Sequence, residues 1–259
     1  MYSRDDLLND FKKIGINPQG TLLIHSSMKA IGEVENRADT VIDAFMEYMK
    51  DGLLIFPTHT WEEYNNKDSI YNPEKETSCV GILTNIFRKR DGVIRSLHPT
   101  HSVAAFGKDA EEYVKGEETM ETPTPREGCW GRLYDKKAQI LFLGCSLKRN
   151  TYIHSVEEWS NVPGRLADKY THYKIVKPDG ELIDSSIYRH EWGGVDISDN
   201  YDKLLKAFLY KGIAKEGKIG DALSYLCDAK AMGDLVTEFL KKDIDVLTDD
   251  RPLPEEWYL

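Results

Sequence analysis

The sequence predicts an α/β fold, in which a mostly parallel central sheet is covered by helices on both faces and carries a smaller C-terminal appendage of a hairpin and helices. Through the first 160 residues, apolar runs of strand length alternate with segments whose apolar residues recur at helical spacing. Beyond residue 165 this alternation gives way to a hairpin pattern and then to helical patterns. We therefore expect one domain over 1–259, with a core at 1–165 and the appendage at 166–259.

Composition limits the class of protein and its partners. The chain has 259 residues, of which 41% are hydrophobic and 30% are charged, and these values exclude disordered and collagen-like proteins. Asp and Glu number 44 against 34 Lys and Arg, which gives a net charge of -10. This balance argues against a nucleic-acid partner and fits an enzyme with a cationic small-molecule partner.

Cysteine spacing and apolar run length indicate a cytoplasmic protein with reduced thiols. The four cysteines form no Cys-x-x-Cys pair, so a structural zinc cluster has no framework. The longest apolar runs, at 53–56 and 140–143, are far shorter than a membrane span, and the N-terminus lacks a signal-peptide pattern. We expect no membrane partner, and the oligomeric state stays open.

The helices and strands of the core are predicted from their apolar patterns and from the residues that begin and end them. Ser3 can cap a helix that ends near Gly15, and a second helix runs from Ala38 to the Asp51-Gly52 stop. A short helix with a basic end is predicted at 81–90, and the polar, aromatic stretch 58–79 reads as a surface loop. Strands are predicted at 21–27, 53–57, 102–107 and 138–144.

The appendage is predicted from turn chemistry. Pro178-Asp179-Gly180 separates two alternating runs within 173–184, which is a β-hairpin signal. The stretch 201–241 reads as two or three helices, followed by an acidic, proline-containing tail.

Polar residues follow three of the predicted strands, and ligands in open α/β sheets bind at the carboxyl ends of strands. His25-Ser26-Ser27 ends the first strand, 58–60 follows the second, and 148–151 follows the last. One shared crevice would explain all three clusters. Hydroxyls after strands also serve as helix caps, and that reading stays open for Ser26 and Ser27.

His154 and Glu157 stand three residues apart on a predicted short helix, so they share one face. A carboxylate beside an imidazole orients the ring and favours its protonated form, which suits a general base. The alternative is a surface His–Glu pair at the start of a helix.

His98 and His101 form another group, and with His154 they allow a metal-dependent hydrolase as an alternative. Pro99 makes this segment extended, and it contains no carboxylate, so the histidines can equally line a cleft. No glycine-rich phosphate loop and no Gly-x-Ser-x-Gly elbow occurs. Phosphate binding could instead use Arg88, Lys89, Arg90, Arg95 or Arg126. The alternative for the run 88–90 is a solvated basic turn at the end of a helix.

Four collinear motifs together resemble the aminoglycoside 3-N-acetyltransferase family, also called antibiotic N-acetyltransferases. They are LLIHSSMKAIG at 22–32, FRKRDGVIRSLHPTHSVAAFG at 87–107, TPREGCWGRLYD at 124–135 and LGCSLKRNTYIHSVEEWSNVP at 143–163. The resemblance covers about 22–165 and implies a three-layer α/β/α sandwich that is distinct from the common acetyltransferase (GNAT) fold.

The resemblance also implies an activity and its site. The family, which includes antibiotic-resistance enzymes, transfers acetyl from acetyl-coenzyme A to the 3-amino group of 2-deoxystreptamine aminoglycosides, in a ternary complex and without a metal. It implies that Ser26 and Ser27 lie against the coenzyme and that His98 and Ser102 lie near the acetyl-bearing cleft. His154, in Asn-Thr-x-x-His-x-x-Glu, matches the catalytic histidine and Glu157 its companion carboxylate.

The acceptor half of this resemblance is weaker. Residues 122–133 carry Arg126 and Cys129-Trp130 where the resistance enzymes more often have Ser-Pro-x-Gly, and the region after 165 diverges. The aromatic-rich loop at 58–73 is a candidate to shape the acceptor site. The same chemistry on a metabolite amine unrelated to antibiotics is therefore an open alternative. Carboxylates that could contact a polycation, or simply form a solvated acidic surface, are Glu191, Asp196, Asp199 and Asp202.

Overall fold

A seven-stranded sheet forms the centre of the molecule. The computed structural model describes residues 1–61, 69–191 and 196–259. The strands of the sheet are β1 (Thr21–Ser26), β2 (Leu53–Pro57), β4 (Ile94–Arg95), β5 (Val103–Gly107), β6 (Gln139–Leu143), β9 (Ala214–Ile219) and β10 (Ala222–Asp228). They lie in the order β4-β5-β2-β1-β6-β10-β9.

Helices cover both faces of this sheet, as the sequence predicts. They are α1 (Arg4–Ile14), α2 (Ala38–Tyr48), α3 (Ile82–Phe87), α4 (Ala110–Val114), α5 (Cys129–Asp135), α6 (Thr151–Trp159), α7 (Leu205–Tyr210) and α8 (Ala229–Lys242). Alternate strand residues point to opposite faces, so Leu22 and Ile24 pack with α1 to α3 while Leu23 packs with α4 to α8. The result is the predicted three-layer sandwich.

The sheet is parallel at its centre and antiparallel at its flanks. β1 pairs in parallel with β2 and β6, whereas β5 and β10 join antiparallel. Seen across the whole sheet, β4, β2, β1, β6 and β9 run in one direction and β5 and β10 run in the other. Pro57, at the end of β2, therefore pairs with Val103, at the start of β5. This pairing brings the segment before β5 to the carboxyl ends of the central strands.

A second, three-stranded sheet contains the predicted hairpin. It consists of β3 (Ser69–Tyr71), β7 (Leu166–Val176) and β8 (Leu182–His190) in the order β3-β7-β8. β7 and β8 are antiparallel and are connected around Gly180, which confirms the hairpin. β8 ends at His190.

The expectation for 201–241 is wrong in part, because β9 and β10 lie within this segment and extend the central sheet through β6. Their connection contains Gly220, whose positive φ of 57° suits a tight hairpin, and a Cβ there would lie 2.5 Å from the carbonyl oxygen of Ile31. The boundary drawn at 165/166 therefore does not separate core from appendage. The single domain over 1–259 stays a prediction.

Within the described ranges, no helix is both long and apolar enough to cross a membrane. The cytoplasmic location stays a prediction.

Candidate active site

A cavity of about 1050 Å³ opens at the carboxyl ends of β1, β2 and β6. This is the one crevice that the three polar clusters predict, and Ser26, Ser27 and His154 all line it. Other polar residues in its wall are His25, His59, Trp61, Cys79, Thr84, Thr100, His101, Cys145, Ser146, Lys148, Arg149, Thr151, Arg189, His190, Asp196, Ser198 and Asp199. Of the aromatic-rich loop at 58–73, Trp61 reaches this wall, while Tyr64 falls outside the described residues.

Local backbone geometry explains how the wall is built. Gly144, directly after β6, has a positive φ of 64°, and a Cβ there would lie 2.4 Å from that of Ala30. Only glycine fits this close approach. The chain then leaves the sheet, and a 3₁₀ turn at 147–149 leads into α6 with Asn150 at its N-cap position.

His154 lies on α6 with its side chain 13% exposed, and its Nδ1 faces a buried acidic group. That nitrogen is 3.3 Å from Oε2 of Glu157 and 2.5 Å from the hydroxyl oxygen of Tyr201. The hydroxyl of Tyr201 donates to the same Oε2 at 2.6 Å. Since its only proton goes to the carboxylate, the oxygen of Tyr201 accepts the Nδ1–H of His154. This arrangement leaves Nε2 as the basic nitrogen of the neutral ring.

Glu157 is fully buried and remains a carboxylate because of its partners. Burial acts to raise its pKa, but the hydrogen bond and charge of His154, the charge of Arg165 and the hydrogen bond from Tyr201 together hold the pKa below its ordinary value. The Nε of Arg165 lies 3.2 Å from Oε1 of Glu157. Burial and the neighbouring carboxylate raise the pKa of Tyr201 well above its usual range, so its hydroxyl keeps its proton.

His98 and Ser102 do not line the cavity, and their assignment to the acetyl-bearing cleft stays a prediction. His98 is 0% exposed, its Nε2–H donates to the Thr122 carbonyl at 3.0 Å, and its Nδ1 accepts the N–H groups of Thr100 and His101. Ser102 donates to the Thr58 carbonyl at 2.8 Å. Both side chains hold the turn before β5 in shape, one layer behind the wall.

A stack of neutral rings forms the wall itself. His25 packs on Phe142 and Trp130, with ring centroids 5.3 and 6.4 Å away. His59 packs on Trp130 and Trp61, with centroids 5.5 and 4.4 Å away. Trp130, where the resistance enzymes more often differ, thus supports both histidines. Neither Nε2 of His25 nor Nδ1 of His59 has a hydrogen-bond partner among the described residues.

Burial makes these histidines sensitive to acid. Burial and the charge of Arg149 lower the pKa of His25 to about 3, and burial lowers that of His98 to about 4. The pKa values of the other three buried histidines also fall below the ordinary value of 6.5, mainly through burial. These three are His59, His101 and His190.

We therefore expect stability to fall steeply below about pH 6.5. The unfolded chain binds protons there while the folded chain excludes them, so each buried histidine costs roughly 1.4 kcal/mol per pH unit until its folded pKa is reached. Urea denaturation at pH 7.5 and pH 5.5 measures this loss. An unfolding free energy that is the same at both pH values would contradict the buried, neutral assignment.

Glu158, the neighbour of Glu157, orients another histidine. Its Oε2 lies 3.1 Å from Nε2 of His190, and the carboxylate also accepts the backbone N–H and hydroxyl of Thr124 and the hydroxyl of Thr122. Two consecutive carboxylates of α6 thus hold two different histidines at one cavity.

The metal alternative receives no support from this geometry. Both ring nitrogens of His98 are engaged by the backbone, so it cannot join His101 and His154 as a ligand without breaking the turn. Across 1–61, 69–191 and 196–259, no group of three or more His, Cys, Asp or Glu side chains is arranged to hold a metal ion.

Charged residues of the wall differ from those that the sequence singles out. Lys148, Arg149 and Arg189 line the cavity, whereas the five basic residues proposed for phosphate do not. Arg90 and Arg126, for example, pair with surface carboxylates. Of the four candidate acceptor carboxylates, Asp196 and Asp199 line the cavity, and Glu191 and Asp202 do not.

Sequence reasoning missed Tyr201, Arg165, His190 and Glu158. Tyr201 lies 47 residues from His154, and His190 lies 32 residues from Glu158, so no local spacing connects them. The adjacent pair Glu157-Glu158 was the one signal available, because two successive acids of a helix point to different neighbours.

Comparisons with known proteins agree with this architecture. The model of a family described as aminoglycoside 3-N-acetyltransferase matches residues 23–241. Aminoglycoside N(3)-acetyltransferase VII of Streptomyces paromomycinus is 24% identical over 269 residues, which cover 93% of this chain and 92% of that protein. The SPbeta prophage-derived aminoglycoside N(3')-acetyltransferase-like protein YokD of Bacillus subtilis is 26% identical over 245 residues, which cover 85% of each.

Solved structures share the fold. AAC-IIIb in a binary complex with CoASH superposes with a TM-score of 0.81 at 21% identity, covering 93% of this chain and 97% of that one. A mutant of AAC(3)-IVa in complex with apramycin has a TM-score of 0.78 at 20% identity, covering 95% of this chain and 94% of that one. At these identities the likeness shows the fold, and the chemistry must be argued from the residues of this chain.

Proposed function

The chain belongs to the aminoglycoside 3-N-acetyltransferase family, and from this premise we propose that it transfers acetyl from acetyl-coenzyme A to an aminoglycoside, at the 3-amino group of its 2-deoxystreptamine ring. One observation carries the proposal. His154 lies in the wall of a large strand-end cavity, and its Nδ1 is held by Tyr201 and the ionised Glu157. This is the geometry of an oriented general base.

The residues of the cavity fit a coenzyme that carries phosphates. Lys148 and Arg149 supply positive charge, and the Ser26 and Ser27 hydroxyls supply polar contacts. The Nε2 of buried His25, which has no hydrogen-bond partner in the part of the chain that the structure describes, offers another. These residues would hold acetyl-coenzyme A, which supplies the acetyl group as a thioester. A buried polar atom without a protein partner is costly, so a ligand contact at His25 would stabilise the complex.

His154 would take a proton from the attacking amine. An alkyl ammonium has no free electron pair, so nitrogen must lose protons as its bond to carbon forms. Glu157 stabilises the imidazolium that results, and Arg165 keeps Glu157 ionised. An oriented base of this kind contributes about 10²–10⁴-fold to the rate.

Tyr201 is a positioning residue in this scheme. In Tyr201→Phe we expect kcat to fall about 10- to 100-fold, since a hydrogen bond to a charged group is worth roughly 1.5–3 kcal/mol. The KM for acetyl-coenzyme A should stay unchanged, because Tyr201 acts through His154 and not on the coenzyme. Steady-state kinetics measures both kcat and KM.

Tyr113→Phe is the matched control, because it also removes a buried tyrosine hydroxyl bond, to the Cys129 carbonyl at 2.7 Å. Neither Tyr113 nor Cys129 lines the cavity. Equal losses of kcat in Tyr201→Phe and Tyr113→Phe would show that Tyr201 stabilises the fold and does not position His154.

Direct transfer within a ternary complex is supported by the place of His154 in a large cavity and by the thiol of Cys145 in the same wall. Burial raises the pKa of Cys145 to about 12, so this thiol remains protonated and is a poor nucleophile for a covalent acetyl intermediate. Asp196 and Asp199 offer charge to a polyamine, although Lys148 already lies 3.4 Å from Asp199.

Thiol release from acetyl-coenzyme A, screened across aminoglycosides and simple amines, tests the function. We expect release with 2-deoxystreptamine aminoglycosides. Release only with amines outside that class would mean that the chemistry serves a different metabolite amine. No release with any amine would overturn the proposed activity.

A further inference from the structure

We propose that His190, oriented by Glu158, is a second proton acceptor of the acceptor site, which takes the first proton from the substrate ammonium while His154 takes the second. This inference rests on the proposed acetyl transfer and deepens it. Its basis is the placement of two histidine–carboxylate pairs on one cavity wall, with the ring centroids of His154 and His190 5.6 Å apart.

The two pairs are built alike. The Nε2 of His190 lies 3.1 Å from Glu158, and its ring centroid lies 5.2 Å from that of His101. A carboxylate only accepts, so Nε2 carries the proton and Nδ1 is the basic nitrogen of the ring. Burial acts to raise the pKa of Glu158, but hydrogen bonds from His190, Thr122 and Thr124 hold it below its ordinary value.

The groups that face His190 allow it to gain a proton. From α6 these are the carboxylates Glu157 and Glu158 and the imidazole of His154, and from the segments after β2 and before β5 they are the imidazoles of His59, His98 and His101. Burial lowers the pKa of His190, the hydrogen bond to Glu158 opposes this, and the charge of His154 lowers the pKa further, so the ring is neutral near pH 7. Two neighbouring carboxylates stabilise the charge it then acquires.

The chemistry requires two proton departures. The substrate R–NH₃⁺ gives one proton to His190 and becomes R–NH₂, whose lone pair forms the C–N bond as the C–S bond breaks. The second proton leaves nitrogen for His154 and ends on the departing sulfur as thiol. His190 returns its proton to water, so one proton is released for each amide and thiol formed. With His154 as the only base, the enzyme could use only the fraction of the substrate amine that water has already deprotonated.

The test compares His190→Gln with the wild type by thiol release, using an aminoglycoside that the wild type acetylates, between about pH 6 and pH 9. We expect kcat/KM for the acceptor to fall about 100-fold at pH 7, and the deficit to shrink about tenfold per pH unit as water deprotonates the amine. The KM for acetyl-coenzyme A should not change. A deficit that is the same at every pH, or no deficit, would overturn the proposal.

His172→Gln is the control, since His172 is an exposed histidine of β7 in the same small sheet and lies outside the cavity wall. If His190→Gln unfolds at the assay temperature, Glu158→Gln replaces it. We then expect a smaller loss of kcat/KM for the acceptor at pH 7, and this loss should again shrink as the pH rises. The wild-type arm separates the two claims. Absence of wild-type release with any amine refutes the proposed function, whereas wild-type release with a pH-independent variant deficit refutes only the role of His190.

Discussion

Replacement of His154 by alanine is expected to lower kcat/KM about 10²–10⁴-fold and to leave acetyl-coenzyme A binding nearly intact. His154 is the imidazole whose Nδ1 is fixed by Tyr201 and Glu157, and its ring lines the cavity. The residues assigned to the coenzyme, Ser26 and Ser27, belong to a different element. Steady-state kinetics and calorimetric titration with coenzyme A measure the two effects separately.

His172→Ala is the matched control for this prediction, because it removes an imidazole from a surface strand, where the ring bonds the hydroxyl of Ser186 at 2.8 Å. It should retain wild-type turnover. Wild-type turnover in His154→Ala would end the general-base assignment, and parallel losses in both variants would indicate a defect of folding.

Glu157→Gln is expected to lose both activity and stability. Without the carboxylate, His154 loses the charge that stabilises its protonated form, and we expect kcat to fall about 100-fold or more. The substitution also leaves Arg165, with a side chain only 7% exposed, without this counter-charge. Breaking one partner of a buried pair costs roughly 3–5 kcal/mol, which urea denaturation at pH 7.5 will measure.

Glu117→Gln is the control, because it shows how much stability is lost when any buried carboxyl group is replaced by an amide. Glu117 is equally buried and accepts the backbone N–H of Cys129 at 2.7 Å, away from the cavity. Burial raises its pKa to about 7, so the group is already partly protonated near neutral pH and the amide replaces it at smaller cost. A loss as large as that of Glu157→Gln would show that the ionised Glu157–Arg165 pair is not the source of the stability.

The fold was predictable where the chain carries local signals. Ser3 caps α1 and Pro178-Asp179-Gly180 connects β7 and β8, as the sequence predicts. The antiparallel direction of β5 and the insertion of β9 and β10 were not predictable in this way, because strand direction depends on pairing partners far along the chain. Residues 214–219 also have only their end residues buried, which hides the strand pattern.

The site was likewise predictable only where its residues are close together in the sequence. His154 and Glu157 share one helix face, so their spacing alone brings them together. Tyr201, Arg165 and His190 reach the site from other elements, and only tertiary folding reveals them. His98 and Ser102 belong to one of the motifs that resemble the family, and their hydrogen bonds hold the turn behind the wall, which sequence spacing does not reveal.

We propose that this cavity transfers acetyl to an amine with His154 as the base, and one experiment tests this directly. The most direct measurement incubates the wild type and His154→Ala in parallel with acetyl-coenzyme A and a 2-deoxystreptamine aminoglycoside, and follows thiol release together with the mass of the aminoglycoside. We predict one added acetyl group per thiol released by the wild type, and for the variant we predict that both signals appear about 10²–10⁴-fold more slowly. Equal acetylation by both proteins, or thiol release without an acetylated product, would contradict the account.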